Sequence, residues 1–390
     1  MHKILMSNLP KIILAIENHR AYDQGLLNGI SRYANLNGRW LFLYEKDGIH
    51  RSLHSIEKIK PDGVIVRISK NEKVIEKIPD KMPCIILGAG ETINGRINII
   101  GDSDRIGEMA AEYLLSLGFK NFGFCGVERE IWSHKRAVSY TKVLQNAGYD
   151  VSSYSYPFSA KSDFARELPA MMEWIESLSK PIGIMASNDE RGFHVLEACK
   201  AAGVNVPEEV AVLGVDNDVA NCEFATPPLS SIALSTAKAG YEAARLLDSM
   251  MREGVSSVGK KEVVVKPTHV VTRQSTSVFA VPDKVVAEAL DFIRNNVKMQ
   301  IQVSDVAEFV SVSRRELERR FKRYLNHSIH QEIKLKKVQL ITKMLLETSD
   351  TISEIASELG FSSIAHISRY FRDIEGVSPI EYRRRNLCVV

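Results

Sequence analysis

Between residues 11 and 275, short, continuously apolar runs alternate with longer stretches whose apolar residues recur every three or four positions. Continuously apolar runs are typical of strands in a parallel sheet that helices cover on both faces. The runs lie at residues 11–16, 40–45, 63–66, 84–88, 122–126, 182–187 and 210–216, and the helical stretches at 104–118, 136–147, 190–202 and 236–252. This order predicts an α/β fold with parallel sheets, and its length favours two lobes.

Several predicted strands are followed at once by aspartate or asparagine. These polar clusters lie in residues 15–23, 101–105, 186–190 and 214–218. Ligands of open α/β sheets bind beyond the carboxyl ends of the strands, so the clusters predict one polar pocket built from distant segments. The alternative is that each residue caps the helix that follows it. For one cluster the two interpretations are equally good, whereas the four together favour a ligand site.

The chain changes character near its C-terminal quarter. The stretch 271–283 is polar and ends in Pro-Asp, which is typical of a linker followed by a helix N-cap. After it the strand pattern stops and the spacing of apolar residues is helical. We therefore divide the chain into a two-lobed domain at 1–275, a linker at 276–282 and an all-α domain at 283–390.

The all-α domain contains an internal repeat, in which residues 303–321 align with residues 352–371. The matched positions are Val306 with Ile355, Ala307 with Ala356, Val310 with Leu359, Leu317 with Ile367, Arg319 with Arg369 and Phe321 with Phe371. Each copy has a short helix containing alanine, a tight turn and a longer helix that opens with serine. This is the plan of a helix-turn-helix motif, and we predict two of them at about 303–325 and 352–375.

The longer helix of each unit is the predicted DNA recognition helix. In the second unit, Ile364, Ile367, Phe371 and Ile374 form an apolar stripe that we expect to face the core. The candidate DNA contacts on the outward faces are Arg314, Arg315, Glu318, Arg319, Ser363, Ala365, Ser368 and Arg369. Arginine binds guanine bidentately, glutamate accepts from cytosine, and small apolar groups contact thymine methyls. The alternative for each residue is simple exposure to solvent.

A predicted helix at 329–348 connects the two units. Its 20 residues span ~30 Å, and successive major grooves on one face of B-DNA recur every ~34–36 Å. A rigid helix of this length places both recognition helices on the same side of a duplex. Nearby basic residues are expected to neutralise phosphates without reading sequence, and they are Lys334, Lys336, Lys337, Arg383, Arg384 and Arg385.

Composition adds a modest preference for an anionic partner. The chain has 390 residues, of which 45% are hydrophobic and 25% charged, as in ordinary globular proteins. Residues 281–390 contain 18 lysines and arginines against 15 acidic residues, so the whole net charge of +3 lies there. An excess of this size favours nucleic acid only weakly.

Several protein classes are excluded. Five scattered cysteines without a CxxC pair favour a reducing cytoplasm over a disulfide framework or a zinc site. The N-terminal apolar run is short and contains a lysine, and no run approaches ~20 apolar residues, so we expect neither a signal peptide nor a membrane span. GxGxxG is incomplete at residues 88–93, and P-loop, GxSxG and HExxH motifs are missing. We therefore expect no enzyme activity, no cofactor and no metal.

The motifs of both domains resemble known families. Residues 283–385, including ISEIASELGF and the closing GVSPIEYRRR, are similar to the AraC-type DNA-binding domain. Residues 11–275 resemble the sugar-sensing core of LacI/GalR-type repressors, chiefly through residues 101–126 and LGVDN at 213–217. The resemblance implies the two-lobed α/β fold of periplasmic binding proteins for this domain. The order of the two domains, with the DNA-binding domain last, is characteristic of the xylose operon regulators.

The resemblance implies a sugar-responsive transcriptional regulator. The residues that it assigns to the sugar are Asp102, Arg136, Asp189 and Asp216. Asp23, in the loop after the first strand, and Trp132 are the further candidates. Carboxylates accept hydrogen bonds from sugar hydroxyls, an arginine donates to ring or hydroxyl oxygens, and a tryptophan packs on a sugar face. The expected effector is D-xylose and the expected mode is activation. Another pentose or a hexose, such as arabinose or ribose, and repression released by sugar are the alternatives.

The resemblance also implies partners. A homodimer would present four recognition helices to a repeated operator in double-stranded DNA. RNA polymerase is a further candidate partner, and no membrane partner is expected. A solute receptor for transport is a competing class, but it does not fit a chain with a DNA-binding domain and no export signal.

Overall fold

The computed structural model describes residues 9–16, 20–37, 40–44, 59–68, 75, 78–88, 92–156, 164–259, 262–277, 281, 283–325 and 327–386. Two six-stranded sheets with flanking helices precede a domain that is helical throughout its described part. None of the described helices combines the length and the apolar character that a bilayer-crossing segment needs.

The first lobe is built on an entirely parallel sheet. Its strands are β1 (Lys11–Ala15), β2 (Leu41–Tyr44), β3 (Gly63–Ile68), β4 (Cys84–Gly88), β5 (Ile97–Gly101) and β11 (Glu262–Val265), in the spatial order β11-β5-β4-β3-β1-β2. Helices α1 (Ala21–Asn37) and α7 (Thr236–Glu253) pack against each other and bury their apolar faces on this sheet. Both faces of the central strands are buried, as their continuously apolar sequences predict.

The second lobe has the same plan with one departure. Its strands are β6 (Asn121–Val127), β7 (Val151–Tyr156), β8 (Ile182–Ala186), β9 (Val210–Val215), β10 (Ser230–Leu234) and β12 (Pro267–Val271), in the order β12-β10-β9-β8-β6-β7. Its helices are α2 (Ser103–Ser116), α3 (Ile131–Asn146), α4 (Phe164–Ser177), α5 (Asp189–Ala201) and α6 (Val219–Phe224). Strand β12 runs antiparallel to β10, so the prediction of parallel pairing is wrong at this edge. The reason is that β12 enters this sheet directly from β11 of the first lobe, with only Lys266 between the two strands, and not through a helix of the second lobe.

The chain passes between the lobes three times. The crossings join β5 to α2, β10 to α7 and β11 to β12. Backbone hydrogen bonds hold them side by side, from the Asp102 N–H to the Val265 carbonyl and from the Ser235 N–H to the Lys266 carbonyl, both at 2.9 Å. We call residues Asp102, Ser235 and Lys266 the hinge, because three short parallel connections allow two lobes to rotate about them.

The linker begins later than the sequence pattern indicated. Thr276 is buried in the second lobe, where its hydroxyl bonds that of Ser230 at 2.7 Å. Part of the predicted linker lies outside the described residues. Helix α8 (Lys284–Asn296) starts at Asp283, whose carboxylate accepts from the first backbone N–H groups, as the Pro-Asp pattern predicts.

The remaining helices form the two predicted helix-turn-helix units. They are α9 (Val303–Phe309) and α10 (Arg314–Leu325), the connecting helix α11 (Ile329–Glu347), and then α12 (Ile352–Glu358), α13 (Ile364–Glu375) and α14 (Pro379–Asn386). Ala307 and Ala356 are both buried where the short and long helices of each unit meet. Helix α11 packs against helices of both units, which fixes their relative placement.

The apolar stripe of α13 is narrower than predicted. Ile367 and Phe371 are completely buried, whereas Ile364 is 48% and Ile374 is 38% exposed. Helix α13 packs on its neighbours through its middle turns, and these two isoleucines lie in its first and last turns. The prediction that Ile364 and Ile374 face the core is therefore wrong.

The two units differ in how they join the rest of the chain. One continuous apolar core includes Leu114 and Ile232 of the second lobe together with Leu317 and Phe321 of the first unit. The second unit has a separate core around Phe371. The first unit is thus continuous with the second lobe, and the second unit is not.

A close crossing of α2 and α3 provides a test of the packing. A Cβ added at Gly107 would lie 2.6 Å from the Arg136 carbonyl oxygen and 2.7 Å from the Tyr140 nitrogen, so α3 would have to shift. We expect Gly107→Ala to lower the free energy of unfolding by about 1–3 kcal/mol, although alanine is the better helix former. Urea unfolding measures this change. Gln145→Ala, on the exposed face of α3, is the control, and equal stability of the two variants would contradict the packing.

Candidate functional site

The carboxyl end of β9 carries a strained turn. Asp216 has φ of +104° and Asn217 has φ of +53°, and residues other than glycine rarely adopt positive φ values. The turn is held by two hydrogen bonds, from the Asn217 N–H to Ser231 Oγ at 3.0 Å and from the Asp218 N–H to Asp189 Oδ2 at 2.6 Å. Strain that is fixed in this way commonly marks a functional position, and here it directs attention to Asp216.

Asp189 holds this turn in place through the hydrogen bond to its Oδ2 atom. It is 1% exposed, and its second oxygen, Oδ1, accepts from the Ser231 hydroxyl at 2.5 Å. Burial, assisted by the nearby charge of Asp216, raises the pKa of Asp189 well above its usual value. A Cβ at Gly214 would lie 2.1 Å from Asp189 Oδ1, so the glycine of LGVDN makes room for this carboxylate. Both oxygens are occupied by the protein, which places Asp189 behind the cleft.

Arg136 enters the same region from α3. It is 4% exposed, and its guanidinium donates to the Ser187 carbonyl and lies 3.8 Å from Asp216 Oδ1. Its Cζ atom is 5.0 Å from the centroid of the Trp132 ring, whose Nε1–H donates to Glu130 at 2.8 Å. Burial lowers the pKa of Arg136, and the carboxylate of Asp216 counteracts that shift.

The first lobe contributes a second ion pair. Asp23 is completely buried and pairs with Arg67, whose guanidinium lies 6.0 Å from the Tyr22 ring centroid. Burial raises the pKa of Tyr22, and the charges of Arg67, Asp216, Arg136 and Asp23 all act on this phenol. Charged groups of both lobes therefore converge on one cleft.

Sequence reasoning overlooked three members of this cleft, namely Tyr22, Arg67 and Ser187. Arg67 lies near the carboxyl end of β3, so the rule that selected Asp216 would have found it. Tyr22 directly precedes Asp23, and Ser187 lies two residues before Asp189. Neither residue belongs to a sequence pattern that would single it out.

Several buried polar atoms in the cleft have no hydrogen-bond partner among the described residues. They include Arg67 Nε of the first lobe and Arg136 Nε, Ser187 Oγ and Asp216 Oδ1 of the second. Leaving such atoms unsatisfied is costly, so native proteins nearly always pair them. A small molecule with several hydroxyl groups would donate to the carboxylate and accept from the guanidinium.

Three residues of the same polar clusters cap helices, as the alternative interpretation predicts. Asp102, Asn188 and Asp218 accept from backbone N–H groups at the starts of α2, α5 and α6. The contacts of Asp102 lead to α2 and the hinge, through the Arg105 N–H at 3.2 Å and the Val265 carbonyl. Of the six predicted sugar residues, the structure brings Asp23, Trp132, Arg136 and Asp216 together, with Asp189 behind them and Asp102 at the hinge.

The recognition helix of the first unit, α10, presents three arginines to solvent. Arg314, Arg315 and Arg319 are exposed, and Arg319 is held by Glu316 through bonds of 2.8 and 3.0 Å. Glu318 is half-buried, and its carboxylate accepts from the Ile329 N–H at 3.4 Å, at the start of α11. This contact occupies one oxygen of the residue predicted to accept from cytosine.

The recognition helix of the second unit, α13, presents small side chains and one arginine. Ser363, Ala365 and Arg369 are exposed and Ser368 is half-buried. The Ser363 hydroxyl caps α13 by accepting from the His366 N–H at 3.1 Å. Both recognition helices therefore have accessible outer faces.

The basic residues assigned to phosphates divide into three groups. Lys334 and Lys336 are half-buried, and their ammonium groups lie 3.1 and 3.7 Å from the carboxylates of Asp373 and Glu332. Lys337 is buried and donates to the Met299 carbonyl at 3.0 Å, and Arg383 donates to the Leu345 carbonyl at 2.9 Å. These two residues hold the domain together, so their assignment to phosphates is wrong. Arg384 and Arg385 are exposed, as a phosphate contact requires.

A two-lobed domain with a polar cleft at its hinge, joined to two helix-turn-helix units with exposed recognition helices, defines a ligand-responsive, DNA-binding transcriptional regulator. Family models agree with this division of the chain. A periplasmic binding protein-like domain matches residues 111–276, and a helix-turn-helix domain matches residues 306–385.

Curated relatives extend over both domains. The xylose operon regulatory protein of Haemophilus influenzae is 27% identical over 381 residues, which cover 96% of this chain and 98% of the relative. That of Escherichia coli K12 is 28% identical over 389 residues, which cover 96% and 97%. The chain is thus a sugar-responsive transcriptional regulator similar to the xylose operon regulators, as its motifs predict, and not an enzyme.

Solved structures support the same architecture. A xylose-binding transcription activator has 25% identity and a TM-score of 0.62, and the match covers 97% of this chain and 99% of the activator. A LacI family regulator from Enterococcus faecium with bound ribose has 22% identity and a TM-score of 0.57. That match covers 68% of this chain and 98% of the other, and it concerns the fold of the two-lobed domain alone.

The largely buried carboxylate of Asp216, whose side chain is 18% exposed, predicts a specific pH dependence. Burial raises its pKa from 3.8 to about 6, with Asp23 adding to the shift and Arg136 opposing it. The folded chain therefore binds this proton more tightly than the unfolded chain, so its contribution to stability falls as the pH rises from 4 to 6. We expect Asp216→Asn to raise the free energy of unfolding at pH 7.5 by on the order of 1–3 kcal/mol, with little change at pH 4.

Urea unfolding at both pH values measures this effect. Asp150→Asn, which changes an exposed carboxylate outside the helices and strands, is the control and should leave stability nearly unchanged. A loss of stability in Asp216→Asn at pH 7.5 would show that the pair with Arg136 outweighs burial.

Proposed function

We propose that this chain is a D-xylose-responsive activator of pentose catabolic genes that binds its operator as a homodimer. The observation that carries the sugar-binding part is the set of buried, unsatisfied polar atoms on Arg136, Ser187 and Asp216 between the two lobes. The similarity to xylose operon regulators over 96% of the chain supports D-xylose as the effector. Asp23, Trp132, Arg136 and Asp216 are the proposed sugar contacts, with Asp189 and Asp102 as supporting residues.

The proposed mechanism is closure of the lobes on the sugar. Asp216 and Arg136 belong to the second lobe, and Asp23 and Arg67 to the first, so one polyol bridging both pairs favours the closed arrangement. A ligand shifts such an equilibrium only by its difference in affinity for the two arrangements, and such coupling is typically about 1–3 kcal/mol. Closure then changes how the paired DNA-binding domains meet the operator.

For DNA, we propose that the two units recognise different features. Arg314, Arg315 and Arg319 suit guanine, whereas the exposed Ile364 and Ala365 suit thymine methyl groups. Ser363, Ser368, Arg369 and Glu318 complete the proposed contacts. RNA polymerase is the proposed partner of the activator once it is bound to DNA.

Ribose is the second candidate effector. The LacI family regulator with bound ribose shares the fold of the two-lobed domain. Pentoses differ in the orientation of single hydroxyl groups, so the same Asp216 and Arg136 pair suits either sugar.

A thermal-shift panel tests the effector. At a concentration 100 times its dissociation constant, a ligand that binds only the folded chain adds about 2.7 kcal/mol of stability. We expect D-xylose to raise the melting temperature more than L-arabinose, D-ribose or D-glucose, and Asp216→Ala to abolish the shift while remaining folded. A larger shift with another sugar would replace D-xylose as the effector, and no shift with any sugar would contradict the proposal.

A comparison of specific and random DNA tests the recognition surface. We expect Arg369→Ala to weaken binding to a duplex selected by the wild-type chain by about 1–3 kcal/mol, and to weaken binding to random DNA much less. Fluorescence anisotropy at one salt concentration measures both affinities. Arg372→Ala, an exposed arginine on the same helix, is the matched control. Equal losses on both duplexes would make Arg369 a phosphate contact.

A further inference from the structure

The second helix-turn-helix unit touches the strand that leaves the hinge. The Tyr382 hydroxyl on α14 donates to the Thr268 carbonyl at 3.1 Å, and His269 Nε2 lies 3.1 Å from Glu347 Oε1 at the end of α11. We call these four residues, Thr268, His269, Glu347 and Tyr382, the hinge interface.

The interface lies directly beside the crossing between the lobes. Thr268 and His269 are the second and third residues of β12 and follow Lys266 of the hinge. The Thr268 hydroxyl donates to the Ala233 carbonyl at 3.1 Å and also lies 3.1 Å from His269 Nδ1. A series of polar contacts thus runs from β10, next to a second crossing, through His269 to the DNA-binding domain.

The unit also reaches the other lobe. Lys238 Nζ, on α7 of the first lobe, donates to the Arg384 carbonyl of α14 at 3.3 Å. The second unit therefore has contacts on both sides of the hinge, so rotation of the lobes changes the geometry of at least one of them.

The character of these contacts suits movement. The first unit shares an apolar core with the second lobe, and a close-packed core of this kind favours a single arrangement. The hinge interface, in contrast, consists of a few polar contacts. A cavity of about 1510 Å³, lined by Arg105, Lys266, Thr342 and Glu375 among others, separates the hinge from α11 and α14 beside these contacts. The second unit has space to shift there, and the first unit is anchored.

We propose that the hinge interface transmits lobe closure to the second helix-turn-helix unit, which makes His269, Glu347 and Tyr382 positioning residues for the response to sugar. This inference rests on the proposed function. A contact that forms in one lobe arrangement and weakens in the other provides the difference in free energy that coupling requires. Closure of the cleft then changes the placement of α13 relative to α10.

The test compares operator affinity with and without sugar in the full chain. The probe is D-xylose, the DNA is a duplex selected by the wild-type chain, and the measured quantity is the ratio of the two dissociation constants. Tyr382→Phe removes only the hydroxyl and keeps the ring against Phe371. Glu347→Ala removes the partner of His269, and Glu347→Gln keeps an acceptor. Tyr149→Phe, which removes a hydroxyl bonded to Lys120 in the second lobe at 2.7 Å, is the matched control.

We expect Tyr382→Phe and Glu347→Ala to reduce the sugar-dependent ratio at least threefold, Glu347→Gln to reduce it less, and Tyr149→Phe to leave it unchanged. Calorimetry should show that all four variants still bind D-xylose, because none of the changed residues lies in the cleft, and that the effect of operator DNA on D-xylose affinity falls by the same factor as the ratio. A residue that merely stabilised the fold would lower affinity with and without sugar alike, leaving the ratio intact.

The outcomes separate this inference from the proposed function. If D-xylose binds every variant and the ratio matches wild type, the hinge interface does not transmit closure and the inference is overturned, while the sugar response stands. If D-xylose does not bind wild type, the proposed effector is wrong, and the ratio is measured with the sugar that raises the melting temperature. If no sugar changes operator affinity in wild type, both proposals are overturned.

Discussion

The turn after β9 depends on the buried carboxylate of Asp189, and the second-lobe side of the cleft depends on that turn. One carboxylate oxygen accepts from the Asp218 N–H and the other from the Ser231 hydroxyl, so the strained backbone of Asp216 has a single favourable position. Asp216 in turn lies beside Arg136, whose guanidinium is fixed by the Ser187 carbonyl. The carboxylate of Asp189, which is hydrogen-bonded to the protein, thus positions the carboxylate of Asp216 to bind a ligand.

This arrangement lowers the stability of the chain without a ligand and favours the binding of a polar ligand. Buried acceptors and donors without partners, and a carboxylate whose pKa burial raises to about 6, are unfavourable in the chain alone. The same groups become favourable once a polar ligand supplies the missing hydrogen bonds. The cleft is a place where local rules of stability are broken, as functional sites commonly are.

The sequence predicted most of the fold and the parts of the site that follow long apolar runs. Strands such as β9, with six buried residues in a row, gave a clear pattern. Strand β7, with the sequence VSSYSY, lacks such a run, and Pro169 inside α4 argues against a helix there, so the sequence predicts neither element. The antiparallel strand β12 could not be predicted because its direction depends on the other lobe. Lys337 was assigned to DNA because its charge is visible in a sequence and its burial is not.

The interleaving of the two lobes has a consequence for synthesis of the chain. Strand β11 completes the first sheet and β12 the second, yet both lie after nearly all of the second lobe in sequence. The first sheet lacks its last strand until residue 265 has left the ribosome, and the second until residue 271 has done so, and the helix-turn-helix units follow only then. Translation order alone therefore ensures that a nascent chain never exposes its DNA-binding helices before every strand of its regulatory domain has been made.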